Sequence, residues 1–190
     1  MRSLCVLRRV LAGIVVVGGC LVGPAHARAE GLLVGIEGGA LLEGPQGTVK
    51  GGGLAAVVLE RRSSKALEFG LGFSFARDPG GGRFADPRVT ILALDAHGRR
   101  LFTDWRARPY LELGLGVYSI EAEATTPPAM SSDKTAGGGS VGIGFAYAFS
   151  PALGLRVSTK YNAIAAEVSL MSSGNLEDYF QVSATLVLAP

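Results

Sequence analysis

The chain has 190 residues, 18 of them basic and 16 acidic, with a formal charge of +2 at pH 7 and 48% hydrophobic residues. That length suits one domain behind a short leader. Both cysteines, Cys5 and Cys20, lie near the N-terminus; the remainder has no disulfide, cysteine metal site or thiol nucleophile.

The N-terminus has the order of an export signal. Basic Arg2, Arg8 and Arg9 precede an uncharged stretch from Val10 to Ala25, followed by the small-residue frames Ala25-His26-Ala27 and Ala27-Arg28-Ala29. The stretch is shorter than the roughly 20 residues of a spanning helix. Residues 1–29 are therefore expected to be a signal peptide cut after Ala27 or Ala29, leaving residues 30–190 as a single domain. Val17-Gly18-Gly19-Cys20 keeps a second reading open, a lipobox cut and acylated on Cys20, with valine where leucine is usual. Four basic residues leave with the leader and no acid does, so the mature chain carries −2 rather than +2. Nucleic acid, which needs a concentrated basic face, is excluded as a partner.

From Gly31 onward the period is two, that of strands with unlike faces. Leu32 to Glu43 offers Val34, Ile36, Ala40 and Leu42 with Glu37 opposite, and Gly53 to Glu60 is strand-like with its outward side ambiguous. Leu67, Phe69, Leu71, Phe73 and Phe75 then alternate with Glu68, Gly70, Gly72, Ser74 and Ala76. Arg88 to Ala96 is again strand-like and ambiguous. Leu111, Leu113, Leu115 and Val117 alternate with Glu112, Gly114 and Gly116, and Val141, Ile143, Phe145, Tyr147 and Phe149 with Gly142, Gly144, Ala146 and Ala148. Leu153, Leu155, Val157 and Tyr161 alternate with Gly154, Arg156, Ser158 and Lys160; Phe180, Val182, Ala184, Leu186 and Leu188 close the chain. The uncharged run Thr135 to Leu155 is no transmembrane helix: it holds six glycines and Pro151, and its large residues recur every second position.

A soluble sandwich would set the large apolar face inward and turn a charged face to water. Here the second face is glycine, alanine and serine, which suits a narrow lumen, while the aliphatic and aromatic face suits lipid. The expected fold is all-β: a closed antiparallel transmembrane β-barrel of eight strands, since lipid cannot satisfy an open edge. Short connections at Arg61 to Lys65 and Ser150-Pro151 alternate with longer ones at Ala76 to Pro87, Glu121 to Gly139 and Ala163 to Asp178. Such alternation implies short periplasmic turns and longer outer loops. The connection His97 to Arg108 is too long for its side, so its flanking strands are expected to extend into it.

Arg108-Pro109-Tyr110-Leu111-Glu112-Leu113-Gly114-Leu115-Gly116 and Ser150-Pro151-Ala152-Leu153-Gly154-Leu155-Arg156 resemble a strand start and a tight periplasmic turn of the small outer-membrane β-barrel proteins grouped with OmpA and OmpX. The resemblance spans essentially Gly31 to Pro190. It implies export to the bacterial outer membrane, with membrane lipid and the barrel assembly machinery as partners. The chain departs from that family in ending Leu186-Val187-Leu188-Ala189-Pro190 rather than on an aromatic residue.

The Gly-x-Gly triplets at Gly70, Gly114 and Gly142 lie inside strands and lack the third glycine of a dinucleotide loop, so they read as lumen packing. Glu68 and Glu112 stand on a shared template and are expected to face the lumen at one depth, with Arg156, Lys160 and possible fifth member Glu37 in a polar network. His97, the one histidine after the leader, is read as a periplasmic turn residue. A Ser/His hydrolase facing the outer leaflet is therefore hard to build. Arg61, Arg62, Lys65, Arg99, Arg100, Arg106 and Arg108 read as a solvated periplasmic rim. No catalytic, cofactor or metal residue is assigned and no cofactor is expected. The functional expectation is a non-enzymatic outer-membrane barrel of structural or surface-interaction type, with an unknown ligand on its long loops. Alternatives are a narrow channel for small solutes and a soluble periplasmic barrel or sandwich carrier.

Overall fold

The computed structural model describes residues 31–45, 49, 51–80, 88–103, 106–123, 131–165 and 177–189. The leader, its cleavage frames and Cys20 lie outside them. Eight strands run in chain order: β1 (Leu32–Glu43), β2 (Gly51–Arg62), β3 (Leu67–Asp78), β4 (Arg88–Leu101), β5 (Ala107–Glu123), β6 (Ser131–Ala148), β7 (Leu153–Ile164) and β8 (Glu177–Leu188). Each pairs antiparallel with its neighbour, and β1 pairs with β8 to close the barrel, Glu37 standing opposite Thr185. The uncharged run 135–155 forms most of β6, a turn and the start of β7.

Both four-residue turns at the end of the barrel where β1 begins and β8 finishes, the terminus end, use one device. Ser64 Oγ accepts hydrogen bonds from the amides of Ala66 and Leu67, and Ser150 Oγ accepts them from Ala152 and Leu153. Such serine turns satisfy backbone donors that the ladder leaves over. The third connection at this end is short because β4 runs on to Leu101, where its amide bonds to the carbonyl of Ala66.

Alternation sorts the side chains by face. Ile36, Val57, Phe69, Phe75, Leu113, Leu115, Ile143 and Phe145 point outward, with Leu115 74% exposed. Water would make such a continuous apolar belt unfavourable, whereas a bilayer covers it. In β2 the outward side is Ala55, Val57 and Leu59, and the inward side is Leu54, Val58 and Glu60.

The inward face departs from the sequence expectation of a uniformly small or polar lumen. Toward the loop end, Leu41, Leu54, Val89, Ile91, Tyr118, Ile120, Ile164 and Tyr179 fill the barrel as an apolar layer, with Val49 folded against them. That layer explains why β4 looked ambiguous: above Asp95 it is apolar on both faces, Leu92 and Leu94 toward lipid and Ile91 and Ala93 toward the core.

Candidate functional site

The terminus half of the lumen is a buried ion-pair layer. Its level is set by register: Glu68 on β3 stands opposite Arg99 on β4, which stands opposite Glu112 on β5. One rung higher, Glu60 faces Gly70, Gly70 faces His97 and His97 faces Gly114. The glycines create the space. A Cβ on Gly70 would lie 2.5 Å from Glu60 Cγ and 2.7 Å from His97 Nε2, and one on Gly142 would lie 2.9 Å from Lys160 Cγ. On Gly144 it would stand 2.6 Å from Tyr110 Cζ. The strands with the smallest inward residues thus admit large side chains from their neighbours.

Three glutamates share the cations of three strands, β2, β4 and β7. Glu60 accepts from Arg99, from Arg156 and, at 3.1 Å, from Nε2 of His97. Glu68 accepts from Arg156 Nη2 at 2.6 Å and from Arg62 Nε and Nη2 at 3.0 and 2.8 Å. Glu112 pairs with Arg99 and, at 2.7 Å, with Lys160 Nζ. The Arg99 guanidinium also lies 5.5 Å from the Tyr110 ring centroid. Glu60, Glu68 and Glu112 are 1–2% exposed, so their desolvation is offset only by these partners.

His97 Nδ1 faces Asp95 Oδ1 at 2.9 Å while Nε2 faces Glu60. Only the imidazolium donates from both nitrogens at once, so this geometry suits a charged ring. His97 is therefore not a turn residue. It is a buried strand residue, because β4 continues past Ala96. The same continuation turns Arg99 inward, and Arg62 and Arg108 also sit at inward register positions, so these three do not belong to an outer rim.

The sequence-derived group is divided. Glu68, Glu112, Arg156 and Lys160 meet in the ion layer. Glu37 lies nearer mid-barrel, accepting from Gln181 Nε2 at 2.5 Å and Thr185 Oγ1 at 3.3 Å. Between the layers is a cavity of about 20 Å³ bordered by Glu37, Asp95, Ser140, Lys160 and Asn162, room for about one water. Below the ion layer the mouth widens to about 460 Å³ between Arg62, Glu68, Arg108 and Arg156. Glu60, the hub, escaped the sequence reading although Val57 and Leu59 carried the signal: outward neighbours at that spacing put Glu60 inside. Among the described residues no group of three or more His, Cys, Asp or Glu side chains is arranged to hold a metal ion.

A closed antiparallel barrel with an apolar outer belt and inward-turned charges defines a transmembrane β-barrel protein. The chain belongs to the outer membrane protein beta-barrel domain family, whose model matches residues 13–186. No curated protein matches it by sequence. Among solved structures, Neisserial surface protein A is similar at TM-score 0.63 and 17% identity, covering 83% of this chain and 95% of the other. A major outer membrane protein from Thermus thermophilus follows at 0.57 and 16%, covering 84% and 99%. The outer membrane enzyme PagL is similar at 0.50 and 14%, covering 82% and 98%. At these identities the likeness concerns the fold alone, and the fold carries both surface proteins and an enzyme.

Proposed function

We propose that the chain is an outer-membrane barrel of structural or surface-interaction type, without enzymatic activity and with a lumen that does not conduct. The observation that carries this reading is the double filling of the lumen. An ion-pair layer occupies the terminus half and an apolar layer the loop half, so a solute would have to break the first and dehydrate in the second. His97 supports the non-enzymatic part: it lies inside the barrel with both ring nitrogens against carboxylates, and a hydrolytic base needs a free nitrogen beside its nucleophile. Residues 1–29 are assigned to a leader removed on export, which N-terminal sequencing of the membrane-extracted protein would test.

Planar-bilayer recording of the folded barrel is the direct test. Silence is expected at physiological salt, and steady openings by the wild-type protein would overturn the closed-lumen reading. Release of fatty acid from outer-membrane lipid by purified barrel, absent from a mock preparation, would overturn the non-enzymatic one.

A further inference from the structure

The cations at the terminus end divide by register. Arg62 and Arg99 turn into the lumen, whereas Arg61 and Arg100 turn outward and are exposed. Arg61 stands opposite Leu32 and Phe69, and Arg100 opposite Leu67 and Leu111, all four exposed on the lipid side. Cross-strand partners share a face, so the two guanidinium groups flank Leu67 and Phe69 of β3. Lys65 is exposed in the turn from β2 to β3, two residues before Leu67. With strands about 4.8 Å apart, Arg61 and Arg100 are separated by on the order of 10 Å, within reach of one headgroup for two long side chains.

The opposite arc of this rim differs. At the β6–β7 turn the outward residues are Tyr147, Phe149 and Leu153, with Tyr147 and Phe149 in edge contact at 5.1 Å. Among the described residues no carboxylate faces outward at this end, because Glu60, Glu68 and Glu112 are all turned inward. At the loop end, Glu121, Glu123 and Asp133 are exposed, and Arg88 pairs with Glu123 at 3.5 Å. Among the described residues, unbalanced outward positive charge therefore gathers on one arc, where the apolar belt meets the membrane surface.

We propose that Arg61, Lys65 and Arg100, arranged around Leu67 and Phe69, bind the phosphodiester headgroup of an anionic phospholipid in the leaflet facing the terminus end. An acyl chain of that lipid lies along Phe69 and Leu71. Charge complementarity and continuity with the lipid-facing belt select this occupant: guanidinium forks match phosphate oxygens, and the aromatic and aliphatic residues between them match a lipid tail.

The test uses barrel folded in phosphatidylcholine nanodiscs holding a minor fraction of phosphatidylglycerol with the same acyl chains. Lipid retained by the barrel is identified by native mass spectrometry. The wild-type protein should retain phosphatidylglycerol preferentially. At about fivefold per cation, Arg61→Gln with Arg100→Gln should lower that preference about 25-fold. The paired lysine variants should keep most of it, and Arg77→Gln, on the loop side, should leave it unchanged. Heat-dependent gel mobility verifies that each variant is folded. Equal retention of the two lipids by the wild type, an undiminished preference in the double glutamine variant, or an equal loss in Arg77→Gln would overturn the proposal.

Discussion

Glu60 and Arg156 are 96 positions apart in sequence and form an ion pair across the lumen, from β2 to β7. The other guanidinium nitrogen of Arg156 holds Glu68, and the same Glu60 holds Arg99 and His97. One contact thus ties three strands of one wall to the strand opposite.

Removal of the hub should be the most damaging change in the ion layer. Glu60→Ala leaves Arg99 and Arg156 each short of a carboxylate at a buried site, a loss of about 3–5 kcal/mol. Urea unfolding of the barrel in detergent measures it. Replacing Glu60 and Arg156 together with methionine should be much less costly than the two single losses combined, since one charge of each sign is removed while Glu68 keeps Arg62 and Arg99 keeps Glu112. An additive result would show that the pair is not coupled.

Glu68→Ala combined with Glu112→Ala should also destabilise the barrel, because Arg62, Arg156, Arg99 and Lys160 lose partners. Glu37→Gln should change stability far less, since its hydrogen-bond partners are the neutral Gln181 and Thr185. Comparable losses in a thermal melt for the two variants would contradict the assignment of Glu37 outside the ion layer.

A charge on the belt tests which face meets lipid. Leu115→Arg places a guanidinium at the most exposed apolar position of β5 and should cost about 2–4 kcal/mol for folding into vesicles. Folding as efficient as that of the unaltered chain would mean that the belt does not face hydrocarbon.

The inward glycines should resist enlargement wherever a neighbour occupies their space. Gly144→Ala puts a methyl against the Tyr110 ring and should cost about 1–3 kcal/mol by overpacking. Tyr110→Leu should relieve only part of that cost in a double-mutant cycle read by urea unfolding, because the backbone carbonyl of Val157 also stands against the added carbon. Gly53→Ala, with open space around the added carbon, is the neutral control.

Breaking the hub of the ion layer should not open the barrel. Ile91, Ile120, Tyr118 and Ile164 still fill the loop half, so Glu60→Gln should remain silent in planar bilayers. Steady current in that variant would identify the ion layer as the sole barrier.

Alternation alone determined the five clearest strands, β3 and β5 to β8, their lipid-facing residues and the inward direction of Glu68, Glu112, Arg156 and Lys160, because a period of two is a local property that each segment carries by itself. The same rule places Glu60 inside once Val57 and Leu59 are taken as outward. Sequence showed that the strands flanking the 97–108 connection extend into it but not how far β4 runs: His97 looks like a turn residue, and Arg99 like a rim residue, until pairing with β3 and β5 carries them into the wall. Nor did it show the apolar layer, because residues such as Ile91 and Ile120 have the chemistry of lipid-facing neighbours, and only closure of the sheet decides which side is enclosed. The pairing of Glu60 with Arg156, and the separation of Arg61 and Arg100 from Arg62 and Arg99, also required the tertiary structure. Ion-pair partners on a curved wall are chosen by register and by the space left at Gly70, Gly142 and Gly144, quantities that no single strand contains.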